Sequence, residues 1–395
     1  MIPLRTPAAR GTLLLLLTGM LATASLIPFM GVYIVQELGQ EPLMISVYAV
    51  TTLTLTLLVN RNFGERIDRG DRIAPLLMTS MGAFSIGLCV MLMTRNFWVL
   101  PIVCSPLFAL ANGAVSTMYS FGRLSAERYG WDIAQFNSYL RATASLAWMI
   151  APAFAFSVAG GLGNRAVPVV ALVMAGVWAL LFWRVMPMDF AKALDPVDDT
   201  GAAIAKPDPL PAIWLAAAVC LLFALAHSAT SMALPLFFLE EVGLPKFAPG
   251  LAFSVKTGVE IVAILSTPML MRVFGIRRCL MMAGAVALLA FVTLAQTRGL
   301  PGLVIGAALE GLYYGTFAAV GLLFVQGFAN GRMGRATSLY MNSLFLGGLI
   351  ASPMMGAIAQ FLSFQAVIYS SIVWALGALA LLFAMRSHKI AAVEG

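Results

Sequence analysis

With 395 residues, 61% apolar and only 10% charged, the chain falls well below the roughly 25% charge of an ordinary soluble domain, which excludes a water-soluble protein. Its formal charge of +7 comes from basic residues set between apolar runs instead of clustered on one face, which argues against a nucleic-acid partner. Cys89, Cys104, Cys220 and Cys279 stand singly without CxxC or metal-ligand spacing, so they read as small apolar core residues, and neither metal nor cofactor is expected.

Apolar runs of about 20 residues match a bilayer-crossing helix better than any buried globular element. They predict twelve spans at 11–36, 43–60, 74–94, 97–121, 133–160, 166–185, 211–239, 247–271, 279–297, 300–328, 335–362 and 364–385. The first is too long for a signal-peptide core and leads straight into further spans, so it is expected to stay. Between the sixth and seventh, residues 186–210 carry Asp189, Asp195, Asp198, Asp199 and Asp208 with four prolines and no apolar periodicity. That stretch reads as a cytoplasmic linker joining two six-helix bundles, residues 1–185 and 211–395. The fold class is therefore an all-α membrane protein.

With the N-terminus inside, 18 of the 24 basic residues fall on the cytoplasmic side and only Arg95, Arg165, Lys246 and Arg298 outside. This bias predicts that both termini are cytoplasmic. Internal repetition follows the same division. Tyr139 precedes Pro152 by thirteen residues in the fifth span, as Tyr340 precedes Pro353 in the eleventh. Gly70-Asp71-Arg72 after the second span corresponds to Gly275-Ile276-Arg277 after the eighth. The first and seventh spans carry Pro28 and Pro235 and end at Glu37 to Gly39 and Glu241 to Gly243.

The loop Gly64-Glu65-Arg66-Ile67-Asp68-Arg69-Gly70-Asp71-Arg72 resembles the signature between helices two and three of the major facilitator superfamily. It is one residue shorter after Asp68 and ends in a single Arg. Asn137-Ser138-Tyr139-Leu140-Arg141, continuing to Trp148 and Pro152, is similar to the fifth helix of bacterial sugar efflux transporters. Leu234-Pro235-Leu236-Phe237-Phe238 with Glu241, Gly258-Val259-Glu260-Ile261 and Ala336 to Asn342 extend that likeness over nearly the whole chain. The resemblance implies a twelve-helix alternating-access exporter of sugars or glycosides driven by protons, and a monomer in the bacterial inner membrane is expected. Lys256 and Glu310 stand where uncharged residues are expected in that family.

Charges within the hydrocarbon region cost several kcal/mol unless paired or hydrated, so Arg141, Lys256, Glu260 and Glu310 are the first functional candidates. Lys256 and Glu260, at i,i+4 spacing, share one helical face and read either as a proton-exchanging pair or as a permanent structural ion pair. His227 has a suitable intrinsic pKa for the same task, against a structural hydrogen bond. Glu310 reads as a second protonatable group, a counter-ion to Lys256, a substrate acceptor or a vestibule carboxylate. Arg141 and its repeat partner Asn342 offer the donors and acceptors that a hydroxylated ligand needs, and Trp148, seven residues after Arg141, offers a stacking face. Asn112 and Tyr313 join the substrate-contact candidates, with Tyr119 and Tyr314 behind them. Asp68, Arg69, Gly70 and Arg72 read as a cytoplasmic gate, by the resemblance, or as topology signals alone. The alternatives are an exporter of drugs or other amphipathic compounds and, from a different class, a membrane enzyme or receptor, for which no catalytic set is found.

Overall fold

The computed structural model describes residues 6–191, 211–330 and 333–388. Residues 192–210 of the expected linker, and Arg5, Lys192, Lys206, Arg332 and Lys389 of the charge count, lie outside them. Twelve helices among the described residues are long and apolar enough to cross a membrane. These are α1 (Pro7–Glu37), α2 (Pro42–Asp68), α3 (Ile73–Met93), α4 (Leu100–Arg128), α5 (Ile133–Leu162), α6 (Ala166–Val185), α7 (Ala212–Glu241), α8 (Ala248–Phe274), α9 (Ile276–Ala295), α10 (Leu300–Gln326), α11 (Met333–Phe361) and α12 (Phe364–Ser387).

In hydrocarbon every backbone polar group has to be satisfied within the protein, which leaves helix as the available conformation for apolar runs of this length. Local chemistry sets the ends. Thr6, Asp132 and Ser363 cap α1, α5 and α12 by accepting from the backbone N–H three residues on. Hydroxyls inside the spans turn back on the preceding turn, as Thr52 does to the carbonyl of Tyr48 at 2.8 Å.

Contacts divide the chain into two units, Met1–Val197 and Asp198–Gly395. In the first, α1 packs on α5 and α6, α4 on α2 and α3, and α3 on α6. The second repeats this wiring helix for helix, with α7 on α11 and α12, α10 on α8 and α9, and α9 on α12. Correspondence reaches single turns. Both α1 and α7 finish in a wide π-helical turn, Tyr33–Glu37 and Phe237–Glu241, before a glycine of positive φ, Gly39 at 63° and Gly243 at 73°. Each turn directs its glutamate to the base of the last helix of its own unit. Glu37 pairs with Arg165 and Arg95 at 3.8 Å, and Glu241 accepts the first N–H groups of α12, from Phe364 and Gln365.

Two expected boundaries move. α2 and α4 run on past their apolar parts to Asp68 and Arg128, because the polar turns carry their own i,i+4 pairs, Arg61–Glu65 at 2.9 Å and Arg123–Glu127 at 3.1 Å. The signature stretch is thus helix up to Asp68, with a turn only from Arg69. Residues 186–190, expected to open the linker, instead fold back on the first unit. Phe190 is buried against Phe121, lies under Arg128, and its carbonyl accepts the N–H of Ile73 at 2.9 Å.

Within the second unit, α10 crosses α8 at the closest backbone approach that its glycines record. A Cβ added at Gly311 would fall 2.2 Å from the carbonyl oxygen of Lys256, and one at Gly315 would fall 2.6 Å from that of Glu260. Two glycines four apart let helix backbones meet in a membrane. Gly311→Ala is expected to lower stability by about 1–3 kcal/mol through overpacking. Gly176→Ala, where an added Cβ meets nothing within 4 Å, should change little. Thermal unfolding of the two variants in detergent checks this, and equal melting temperatures would refute it.

Candidate functional site

That crossing brings Glu310 and Tyr314 of α10 against Lys256 and Glu260 of α8, with His227 and Ser231 of α7 closing the group. Lys256 Nζ lies 3.5 Å from Glu260 Oε2 and 4.7 Å from the centre of the Tyr314 ring. The other member of the cluster is a dyad: His227 Nδ1 stands 2.9 Å from Glu310 Oε1, and the Ser231 hydroxyl donates to the same carboxylate oxygen at 3.4 Å. Tyr314 stacks on His227 with ring centres 3.7 Å apart. Glu310 is 1% exposed, whereas the side chains of His227, Lys256 and Glu260 keep 14%, 11% and 17%. A narrow crevice reaches Ser231, Lys256 and Glu310 between apolar walls that include Leu234, Phe238 and Phe253.

Burying such charges is tolerable only because each has a partner. The ammonium of Lys256 is held by a carboxylate and an aromatic face together, and the Glu310 carboxylate by an imidazole and a hydroxyl. Glu310 thus engages its Oε1 with two protein partners, His227 and Ser231.

The equivalent crossing in the first unit is neutral. Between α2 and α4, Thr52 meets Ser105 at 2.8 Å, Asn112 donates its amide to the Thr56 hydroxyl at 3.2 Å, and the Ser116 hydroxyl donates to Asn60 at 3.1 Å. Asn112 is therefore a rung of this ladder, the interhelical contact that polar side chains make in lipid. Trp148 is half-buried against the core of the first unit, as is Tyr119, while Arg141 on the same helix is exposed. In the second unit Asn342 is exposed on α11.

Tyr313 does not fit a substrate contact. It is wholly buried, packs on Phe223, Phe291 and Phe317, and donates its hydroxyl to the Phe223 carbonyl at 2.7 Å. One step along α10, 100° around the helix, Tyr314 faces the charged cluster instead. At the signature turn, Gly70 adopts φ 84°, and the N–H groups of Gly70 and Asp71 bond the carbonyls of Ile67 and Arg66 at 3.0 Å, a Schellman cap that a residue with a Cβ would strain. The charges there pair as Arg66–Asp71 at 2.8 Å and Arg69–Glu65 at 3.6 Å, and Arg72 is exposed at the start of α3. Sequence reasoning missed Ser231 and the Gly311–Gly315 pair. The glycine spacing was a visible signal, whereas one serine among many was not.

Residues 12–302 match the sequence model of the Major Facilitator Superfamily. The chain belongs to that superfamily. Sugar efflux transporter B of Salmonella typhimurium is 27% identical over 360 residues, covering 90% of each chain. Sugar efflux transporter C of Escherichia coli is 26% identical over 371 residues, covering 92% of each. Among solved structures, the nucleoside transporter NupG aligns over 97% of this chain and 100% of its own at 15% identity with a TM-score of 0.74. A bacterial homologue of the iron transporter ferroportin covers the same shares at 17% identity and a TM-score of 0.69. These two share its fold. The superfamily member described here is a multi-pass membrane protein and a secondary transporter, and its relatives and fold are not those of enzymes.

Removing one partner of the Lys256–Glu260 pair leaves a buried charge without its nearest counter-charge. Lys256→Met should therefore destabilise the protein by about 3–5 kcal/mol, and adding Glu260→Gln should recover much of the loss. A double-mutant cycle of unfolding free energies measures the difference, and simple additivity would show that the two side chains do not interact.

Proposed function

We propose that this transporter exports sugars or related glycosides across the bacterial inner membrane by alternating access, as a monomer with both termini cytoplasmic and with protons as the driving ion. The observation that carries this reading is its likeness, over nine-tenths of its length, to proteins named sugar efflux transporters. The side chains it offers agree with a hydroxylated ligand. The exposed guanidinium of Arg141 supplies donors, the Asn342 amide supplies donor and acceptor, and the indole of Trp148 supplies a ring face for the apolar side of a sugar. The bias of basic residues supports the orientation, and the buried ionisable cluster on α7, α8 and α10 supports ion coupling. Asp68, Arg69, Gly70 and Arg72 take the part of a cytoplasmic gate in this scheme, with the Schellman turn holding their charges at the helix end.

The apolar walls of the crevice beside Lys256 and Glu310 favour one second reading, export of an amphipathic compound. Counterflow of radiolabelled lactose in sealed proteoliposomes separates the two, because it needs a closed compartment but no ion gradient. Lactose counterflow is expected, slowed about tenfold in Asn342→Ala, the effect of losing roughly 1.4 kcal/mol of ligand contact. Extrusion of a hydrophobic dye with no lactose counterflow would replace the sugar reading with the amphipathic one.

A further inference from the structure

We propose that the His227–Glu310 dyad is where the driving proton is loaded and released, and that Lys256–Glu260 is a fixed ion pair that stays charged throughout the cycle. This deepens the proton-driven reading above and rests on it.

Charge counting in a closed space carries the argument. Two carboxylates, Glu260 and Glu310, face a single ammonium, Lys256, so the cluster holds one negative charge in excess while His227 is neutral. Low-dielectric surroundings penalise that excess, and one added proton cancels it. The groups acting electrostatically on His227 are Lys256, Glu310 and Glu260, and those acting on Glu310 are Lys256 and His227, with Tyr313 and Tyr314 adjacent on α10. Of the two carboxylates, Glu260 has its own ammonium at 3.5 Å, and Lys256 is additionally held over the Tyr314 ring. Glu310 instead meets a side chain that can itself bind and pass a proton.

The geometry also gives the route. His227 keeps 14% of its side-chain surface, and the crevice reaches Glu310 beside Ser231, so the dyad meets open space through both members. An incoming proton binds the unprotonated ring nitrogen, Nε2, and the proton on Nδ1 crosses the 2.9 Å hydrogen bond to Glu310 Oε1. The products are a neutral imidazole protonated at Nε2 and a neutral carboxylic acid, and release runs the same steps backwards. The Ser231 hydroxyl lies 3.4 Å from Nδ1, 3.5 Å from Nε2 and 3.4 Å from Oε1, beside every polar atom of the transfer. Stacking on Tyr314 fixes the plane of the ring so that Nδ1 keeps facing the carboxylate.

Two measurements test the dyad. In proteoliposomes, the ratio of lactose flux driven by a pH step to lactose counterflow is expected to fall about a hundredfold in Glu310→Gln and in His227→Gln, the size of a lost proton-transfer group. In the double variant Lys256→Met/Glu260→Gln, where the pair is removed as a unit, the ratio should persist. Without any sugar, differential acid titration of the purified protein between about pH 5.5 and 8, the range in which an imidazole titrates, should find one proton fewer bound by His227→Gln/Glu310→Gln than by the wild type. Equal proton uptake, or a flux ratio that Glu310→Gln leaves unchanged, would overturn the proposal. A one-proton difference in a wild type that shows no lactose counterflow would support the dyad and remove only the sugar.

Discussion

The arrangement of the second unit depends on how closely two backbones approach. Gly311 and Gly315 bring α10 onto the carbonyls of Lys256 and Glu260, and that contact brings Tyr314 and Glu310 up to Lys256. Were these positions larger, the helices would separate, and Lys256 would lose the Tyr314 ring and the nearby Glu310 charge across the crossing. Close packing and charge tolerance are thus one constraint here. The small residues contribute no chemistry themselves, yet they decide whether Lys256 lies over Tyr314.

Duplication explains the rest of the architecture. Both units use the same order of helix contacts, the same wide turn before a left-handed glycine, and the same acidic anchor at the foot of their last helix. What differs is the chemistry at the matching crossing. The first unit joins α2 to α4 with hydroxyls and amides, groups that keep their state at any ordinary pH, while the second joins α8 to α10 with groups that titrate. One scaffold therefore carries two kinds of polar interior.

Much of this was legible in the residues. Spans, repeat and superfamily follow from run length, from Tyr–Pro and Gly–x–Arg spacings, and from the Asp68–Gly70 stretch, because burial in lipid imposes hydropathy on every residue of a helix. The Lys256–Glu260 pair was legible because i,i+4 spacing is a local property. Glu310 with His227 was not, since 83 residues separate them and only the fold of α7 against α10 joins them. Tyr313 and Tyr314 illustrate the same limit. Adjacent in sequence and alike in chemistry, they point to a sealed aromatic core and to a charged cluster, and nothing short of the rotation of α10 tells them apart. The ends of α2 and α4 were misjudged because hydropathy stops at the lipid boundary while the hydrogen-bond ladder does not.

The wide turns that close α1 and α7 have a consequence for how the halves tolerate change. A π turn holds one residue more than the α turn it replaces, so everything beyond it is rotated by about 100° relative to a regular helix. Glu37 and Glu241 sit at that shifted phase and there meet the foot of α6 and the foot of α12. Shortening either turn by a single residue would swing its carboxylate off that anchor, which makes these two short segments places where length, more than side-chain identity, is under constraint.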